Sequence, residues 1–322
     1  MRAFGHHRAT KRQAGLAATI AAGALTFCLA TIPAAGASSG TPSPHPAATG
    51  PNLSAPVSSH PVPGITGRAA AKLLTPAQRA QFRSRHALWR SAPTRHNTPS
   101  MVHAADDGHQ FWAVYPTADG GPTGVYATHS VLPNLRASNS SDVIYAPTLY
   151  PSGNACIEDT TAYLHDSAVI WAWDWCQSQT VGKLTVMDSA FQATYVRNGA
   201  YGVMINKTDA ATNTWQMLLY NFTTSQWDPY FTSQGPNGVY DFGWDAFEVY
   251  SATDPSTGRP YICADTAGRS FTASNIQQRE NGTWKPLTGS DSTTDPTGTI
   301  FGCPNLHATF TTPNSTWRVS NP

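Results

Sequence analysis

The stretch V-I-W-A-W-D-W-C, Val169 to Cys176, decides how the chain is read. It puts Trp171, Trp173 and Trp175 on alternate positions. In a strand, side chains two apart share a face. The three indoles therefore form a stripe on one side of a sheet, with Ile170, Ala172 and Asp174 on the other. Two arrangements satisfy this pattern. The indoles can be the core with Asp174 in water, or they can form an outward platform with Asp174 inside, where its carboxylate needs a partner.

Working outward, the surrounding sequence consists of short β-rich runs between turn signals. FWAVYP, GVYATHSVL, DVIYAPTLY, KLTVMDSAFQATYVR, YGVMINK, TWQMLLYNFTT and FGWDAFEVYS are separated by PSGN, RNGA, DAATN, QGPNG and DPSTG. No long helical period interrupts them. The expected fold is all-β, an antiparallel β-sandwich of the jelly-roll (concanavalin-like) type, spanning 106–322.

The N-terminal third reads differently. Arg2, Arg8, Lys11 and Arg12 precede an apolar run that ends at Ala35-Gly36-Ala37, a small-x-small cleavage site. Residues 1–37 read as a secretory signal peptide, too short and too rich in Ala and Gly for a membrane anchor. Phe27 before Cys28 rules out a lipoprotein signal. Residues 38–67, dominated by Pro, Ser and Ala, read as a disordered linker or pro-segment. Residues 68–105 read as a basic helical segment and linker, with Thr75 as N-cap and Pro76 at the first helical position. Arg79, Arg83, Arg85 and Arg90 supply the charge, beside Phe82 and Trp89.

Cys156, Cys176, Cys263 and Cys303 remain after signal cleavage, an even number in an exported chain, which implies disulfides. Four cysteines allow three pairings. Nearest-neighbour pairing is expected, and no CxxC spacing supports zinc. Net charge is +1 and only 12% of residues are charged, which excludes a nucleic-acid footprint. A secreted, extracellular monomer with no membrane partner is the expectation. No cofactor is implied. Asp254 and Asp295, in loops, are candidates for a structural calcium.

Sequence motifs for zinc peptidases, serine hydrolases, nucleotide-binding loops and EF-hands are absent. The chemistry is sought instead in G-W-D-A-F-E-V-Y, Gly243 to Tyr250. As a strand it places Trp244, Glu248 and Tyr250 on one face and Phe247 and Val249 on the core face. A carboxylate among aromatics can bond a sugar hydroxyl or act as an acid or base. Gln192 is the candidate partner of Glu248. Three functions follow: a polysaccharide or cell-wall glycan binder using Trp171, Trp173, Trp175, Trp244 and Tyr250; a hydrolase of glycosidic or peptide bonds centred on Glu248; or a structural surface protein.

AFQATYV, TWQMLLYNFTTSQWD, GWDAFEVY and NIQQRENGTW together resemble a group of exported proteins of high-GC Gram-positive bacteria, some labelled carbohydrate-binding. The resemblance covers Asp142 to the C-terminus. YNFTTSQWD followed by GWDAFE is also similar to the glutamic-peptidase sandwich. That resemblance implies Glu248 as the catalytic glutamate and Gln192 as its partner.

Overall fold

The computed structural model describes residues 50–76, 79, 108–116, 122–177, 180–237 and 242–322. The proposed signal peptide, residues 38–49 and the remainder of the basic segment, with Arg83, Arg85, Arg90, Phe82 and Trp89, lie outside the described residues. All described residues belong to one unit, Ala48–Pro322.

Nineteen strands are described. In chain order they are β1 (Ile65–Thr66), β2 (His109–Pro116), β3 (Gly124–Ser130), β4 (Val143–Tyr150), β5 (Ile157–Tyr163), β6 (Ala168–Asp174) and β7 (Thr180–Val186). There follow β8 (Ala200–Asp209), β9 (Thr214–Asn221), β10 (Gln226–Ser233), β11 (Trp244–Tyr250), β12 (Thr253–Asp254) and β13 (Arg259–Pro260). The last are β14 (Arg269–Glu280), β15 (Thr283–Pro286), β16 (Ser292–Thr294), β17 (Gly298–Thr299), β18 (His307–Thr312) and β19 (Thr316–Asn321). Three helices accompany them: α1 (Gly67–Leu73), α2 (Ser189–Tyr195) and α3 (Ile262–Asp265).

The strands form two large antiparallel sheets. Sheet B has the order β1-β7-β6-β5-β4-β11-β2-β16, and sheet A the order β10-β9-β8-β3-β14-β19-β18-β17, with β15 on β14. The sandwich expected from the alternating runs is present. Both disulfides have the nearest-neighbour pairing, Cys156–Cys176 and Cys263–Cys303.

Between the sheets the core is largely apolar and encloses an ionic cluster. His129 of β3 sits 3.2 Å from Asp159 of β5 and 3.2 Å from Asp245 of β11, all fully buried. Trp317 Nε1 donates to Asp245 at 2.7 Å, and Tyr201 donates to Asp159 at 2.8 Å. Burial alone would hold His129 neutral. The two carboxylates reverse that and push its pKa up to about 9. Around the cluster, Phe247 packs on Phe271 and Trp112 on Trp317, joining the two sheets.

Residues 50–66 are not the free linker expected for 38–67. They form a strap that crosses the outer face of sheet A, rounds the β10 edge and reaches β7. Trp227 donates its backbone N–H to Pro56 O at 3.0 Å, and Val62 N–H donates to Pro229 O at 2.9 Å. β1 then pairs with β7, Ile65 opposite Leu184 and Thr66 opposite Lys183. Four prolines fix extended backbone in advance, so holding the strap costs little chain entropy. Beyond it, Arg79 N–H bonds Thr75 O at 3.0 Å, the helical turn that Thr75-Pro76 announced. The Arg79 guanidinium closes the C-terminus of α1 by donating to Leu74 O at 2.6 Å.

Candidate functional site on the outer face of sheet B

The inward face of sheet B is fixed by residues that touch sheet A: Asp159, Asp245, Phe247 and Trp112. Register then assigns the opposite face. Glu158 pairs with Trp173 and Thr160 with Trp171 across β5 and β6. Glu248 pairs with Tyr145 on β4 and with Phe111 on β2, and Tyr250 pairs with His109. The three tryptophans, Glu158, Glu248, Trp244, Tyr250 and His109 therefore share the face turned away from sheet A.

That face is not the solvent-exposed platform the sequence suggested. Trp171, Trp173, Trp175, Trp244 and Tyr250 are buried, none more than 6% exposed. An indole of roughly 200 Å² left in water forgoes about 5 kcal/mol, so a stripe of four is costly to expose. The question posed by Val169–Cys176 thus has a third answer. The indoles lie neither between the sheets nor in water, and Asp174 is the inward residue. Its carboxylate accepts from Ser233 Oγ at 2.5 Å and from the Gln177 N–H at 3.0 Å.

Rings run continuously across the face. Trp173 meets Trp171 at 5.2 Å, Trp171 meets Tyr145 at 5.3 Å, and Tyr145 meets Tyr250 at 5.7 Å. Tyr250 stacks on the His109 imidazole at 4.3 Å. At the end of that path His109 Nε2 is 2.7 Å from Glu248 Oε1. Both side chains are buried. Toward β16, Tyr115 donates its hydroxyl to Asp295 at 2.9 Å. Burial, then Asp295, then Glu248 push the Tyr115 pKa well above its ordinary value, so it stays a hydrogen-bond donor at neutral pH.

Glu158 is the residue that sequence reasoning passed over. Its carboxylate accepts from Trp175 Nε1 at 3.2 Å and from Trp244 Nε1 at 3.3 Å. Glu158 and Glu248 are two strands and four residues apart, about 16 Å between Cα atoms. His109 was also missed; it begins the strand paired with Glu248's own.

Gln192 does not join Glu248. It lies on α2 and not on a strand, and its Nε2 donates to Met187 O at 2.9 Å. Asp188 starts that helix by accepting from the Phe191 N–H at 2.9 Å. Strand β7, which precedes α2, is already four strand positions from β11, about 19 Å. Asp254 is engaged in its own turn, accepting from the Ser256 N–H at 2.8 Å, and Asp295 is held by Tyr115 and the Ala113 N–H. Among the described residues no three His, Cys, Asp or Glu side chains group as metal ligands. Nor, among them, is any helix long and apolar enough to cross a membrane.

No family model matches the chain, and no curated protein matches it. Solved structures do. Scytalido-glutamic peptidase with a peptide-based transition-state analog is 13% identical, with TM-score 0.41, covering 67% of this chain and 99% of that one. SCP-B, a member of the eqolisin family of peptidases in complex with the tripeptide Ala-Ile-His, is 14% identical, with TM-score 0.40, over 66% and 98%. The likeness is one of strand arrangement, and residue roles do not pass through it.

Proposed function

We propose that the protein is an exported hydrolase with Glu248 as its general base. The observation that carries this reading is the Glu248–His109 contact of 2.7 Å on the aromatic outer face of sheet B. A carboxylate and an imidazole in hydrogen-bond contact form a proton-transfer pair. The carboxylate can take a proton from water as it attacks, and the imidazole, clamped by Tyr250, orients it. Tyr115 stands on the same face as a donor that keeps its proton.

Peptide or related acyl bonds are favoured over glycosidic ones. Glycoside hydrolysis uses two carboxyl groups about 5–9.5 Å apart astride one bond. Glu158, the other glutamate of the face, is tied to two indoles at its far end. Two disulfides support an oxidising, extracellular setting.

The test is a panel of peptide and glycoside substrates offered to wild type and Glu248→Gln at acid and neutral pH. Glu248→Gln keeps shape and most hydrogen bonding. It is expected to lose turnover by at least about 100-fold with its melting profile retained. Undiminished turnover in that variant would refute the assignment.

A further inference from the structure

The rim of sheet B at β16 carries a carboxylate that the Glu248–His109 pair does not use. Asp295 extends the pairing of β16 with β2. Thr294 lies opposite Val114, and the Asp295 N–H donates to Ala113 O at 3.0 Å. Ala113 and Tyr115 alternate with the inward Trp112, so they belong to the outer face. Asp295 turns the same way: its Oδ2 accepts from the Ala113 N–H at 3.0 Å and from the Tyr115 hydroxyl at 2.9 Å.

Both bonds fall on one oxygen. Among the described residues Oδ1 has no hydrogen-bond donor, and it is not one of the sealed polar atoms, since Asp295 is part-exposed. No Lys, Arg or His among the described residues pairs with it as an ion. The Tyr115 ring beside it stands 6.3 Å from Phe242 and 6.3 Å from Phe111, so aromatic rings line the approach from the site. A carboxylate fixed through one oxygen and lacking a counter-charge is matched by a cation that brings its own N–H donors, and aromatic faces attract the same charge.

Register places this oxygen relative to the chemistry. Asp295 is opposite Ala113 and Glu248 is opposite Phe111, so the two are two strands and two residues apart, about 12 Å between Cα atoms. Both carboxylates also raise the pKa of the one phenol, Tyr115. An extended peptide advances about 3.3 Å per residue, so three to four residues cover the distance.

We infer that Asp295 is a specificity residue of the site, its outward oxygen taking the ammonium or guanidinium of a Lys or Arg side chain three to four residues from the scissile bond, beside the Tyr115 ring. The inference rests on the hydrolase reading of Glu248 and adds the substrate class: peptides carrying positive charge.

The experiment walks one residue, Lys, acetyl-lysine, Gln or Glu in turn, along an otherwise neutral fluorogenic peptide offered to the full chain. Wild type is expected to favour Lys over acetyl-lysine by about tenfold in kcat/KM at one position three or four residues from the cut. Asp295→Asn, which keeps an acceptor for Ala113 and Tyr115, is expected to bring that ratio near one. The acetyl-lysine comparison needs no variant, so it decides the matter even if Asp295→Asn melts early. A ratio near one in wild type, or one unchanged in a folded Asp295→Asn, overturns the inference. The same peptides are titrated uncleaved against Glu248→Gln. A preference for Lys there, with no peptide turned over by wild type, refutes hydrolysis and keeps the cation subsite. Equal affinities there, with peptides turned over by wild type at a ratio near one, refute the subsite and keep hydrolysis.

Discussion

Raising the pH from 6.5 to 9.5 removes the proton that joins the two sheets at His129. In the unfolded chain that imidazole has its ordinary pKa of 6.5; in the fold it is held at about 9. Below 6.5 both states are protonated and the full contribution of the cluster is present. Between the two values the folded state binds a proton that the unfolded state has lost. Stability therefore falls as pH rises, by about 1.4 kcal/mol per unit in mid-window and about 3 kcal/mol in total. Urea unfolding at half-unit steps reads this as a falling midpoint at constant slope. NMR titration of the His129 ring reports the folded value directly. Asp245→Asn removes the first of the two charges that raise it, so both the pKa and the size of the loss should shrink. A ring that titrates near 6.5, or stability that is flat across the window, refutes the account.

Four further outcomes are expected. Burial raises the pKa of Asp142, Asp159, Asp245, Asp265 and Asp295. Each such group adds stability below its unfolded value that fades as pH rises through the folded one. The domain should accordingly lose little stability, in calorimetric scans, on acidification from pH 6 to 4; an acid-induced collapse of Tm in that range contradicts it. Reduction of Cys156–Cys176, which closes a separation of 20 residues, should cost about 3 kcal/mol, and of Cys263–Cys303, with separation 40, about 4 kcal/mol, both read by denaturant titration with and without reductant. Gly202→Ala sets a Cβ 2.5 Å from Pro51 Cγ, so hydrogen exchange in residues 50–58 should accelerate while β4 and β11 stay protected. Glu158→Gln keeps an acceptor for one indole and turns its NH2 toward the other, which should cost about 1–3 kcal/mol, whereas Glu158→Ala leaves two buried N–H donors and should cost about 2–5 kcal/mol by thermal unfolding.

Alternation was enough to show the sandwich, because Val, Ile, Trp and Tyr at every second position leave few other folds. The disulfide pairing followed from short sequence separations. Strand β5 was invisible for the opposite reason. Its residues Glu158, Asp159, Thr160 and Thr161 are polar yet wholly buried, and Glu158, Asp159 and Thr161 take partners from elsewhere in the chain: two indoles for Glu158, and Tyr201 for Asp159 and Thr161. Helix α2 was hidden by its length of seven residues, too few to show a period. The alternation at Trp171–Trp175 was right about which side chains share a face. It could not reveal whether that face met water, since burial of an outer face depends on the whole chain. Glu248 was legible through its aromatic neighbours on the same strand. Its contact with His109, 139 positions away, was not.

The strap has a bearing on how the protein stays dispersed. β7 and β10 would otherwise end their sheets with rows of unpaired amides, the arrangement that recruits further strands from neighbouring molecules. The strap, with prolines at 51, 56, 61 and 63, caps both rows and leaves few amides of its own for another molecule to extend. A shortened chain starting at Gly67 should therefore keep its two sheets and still gather into assemblies through those freed borders.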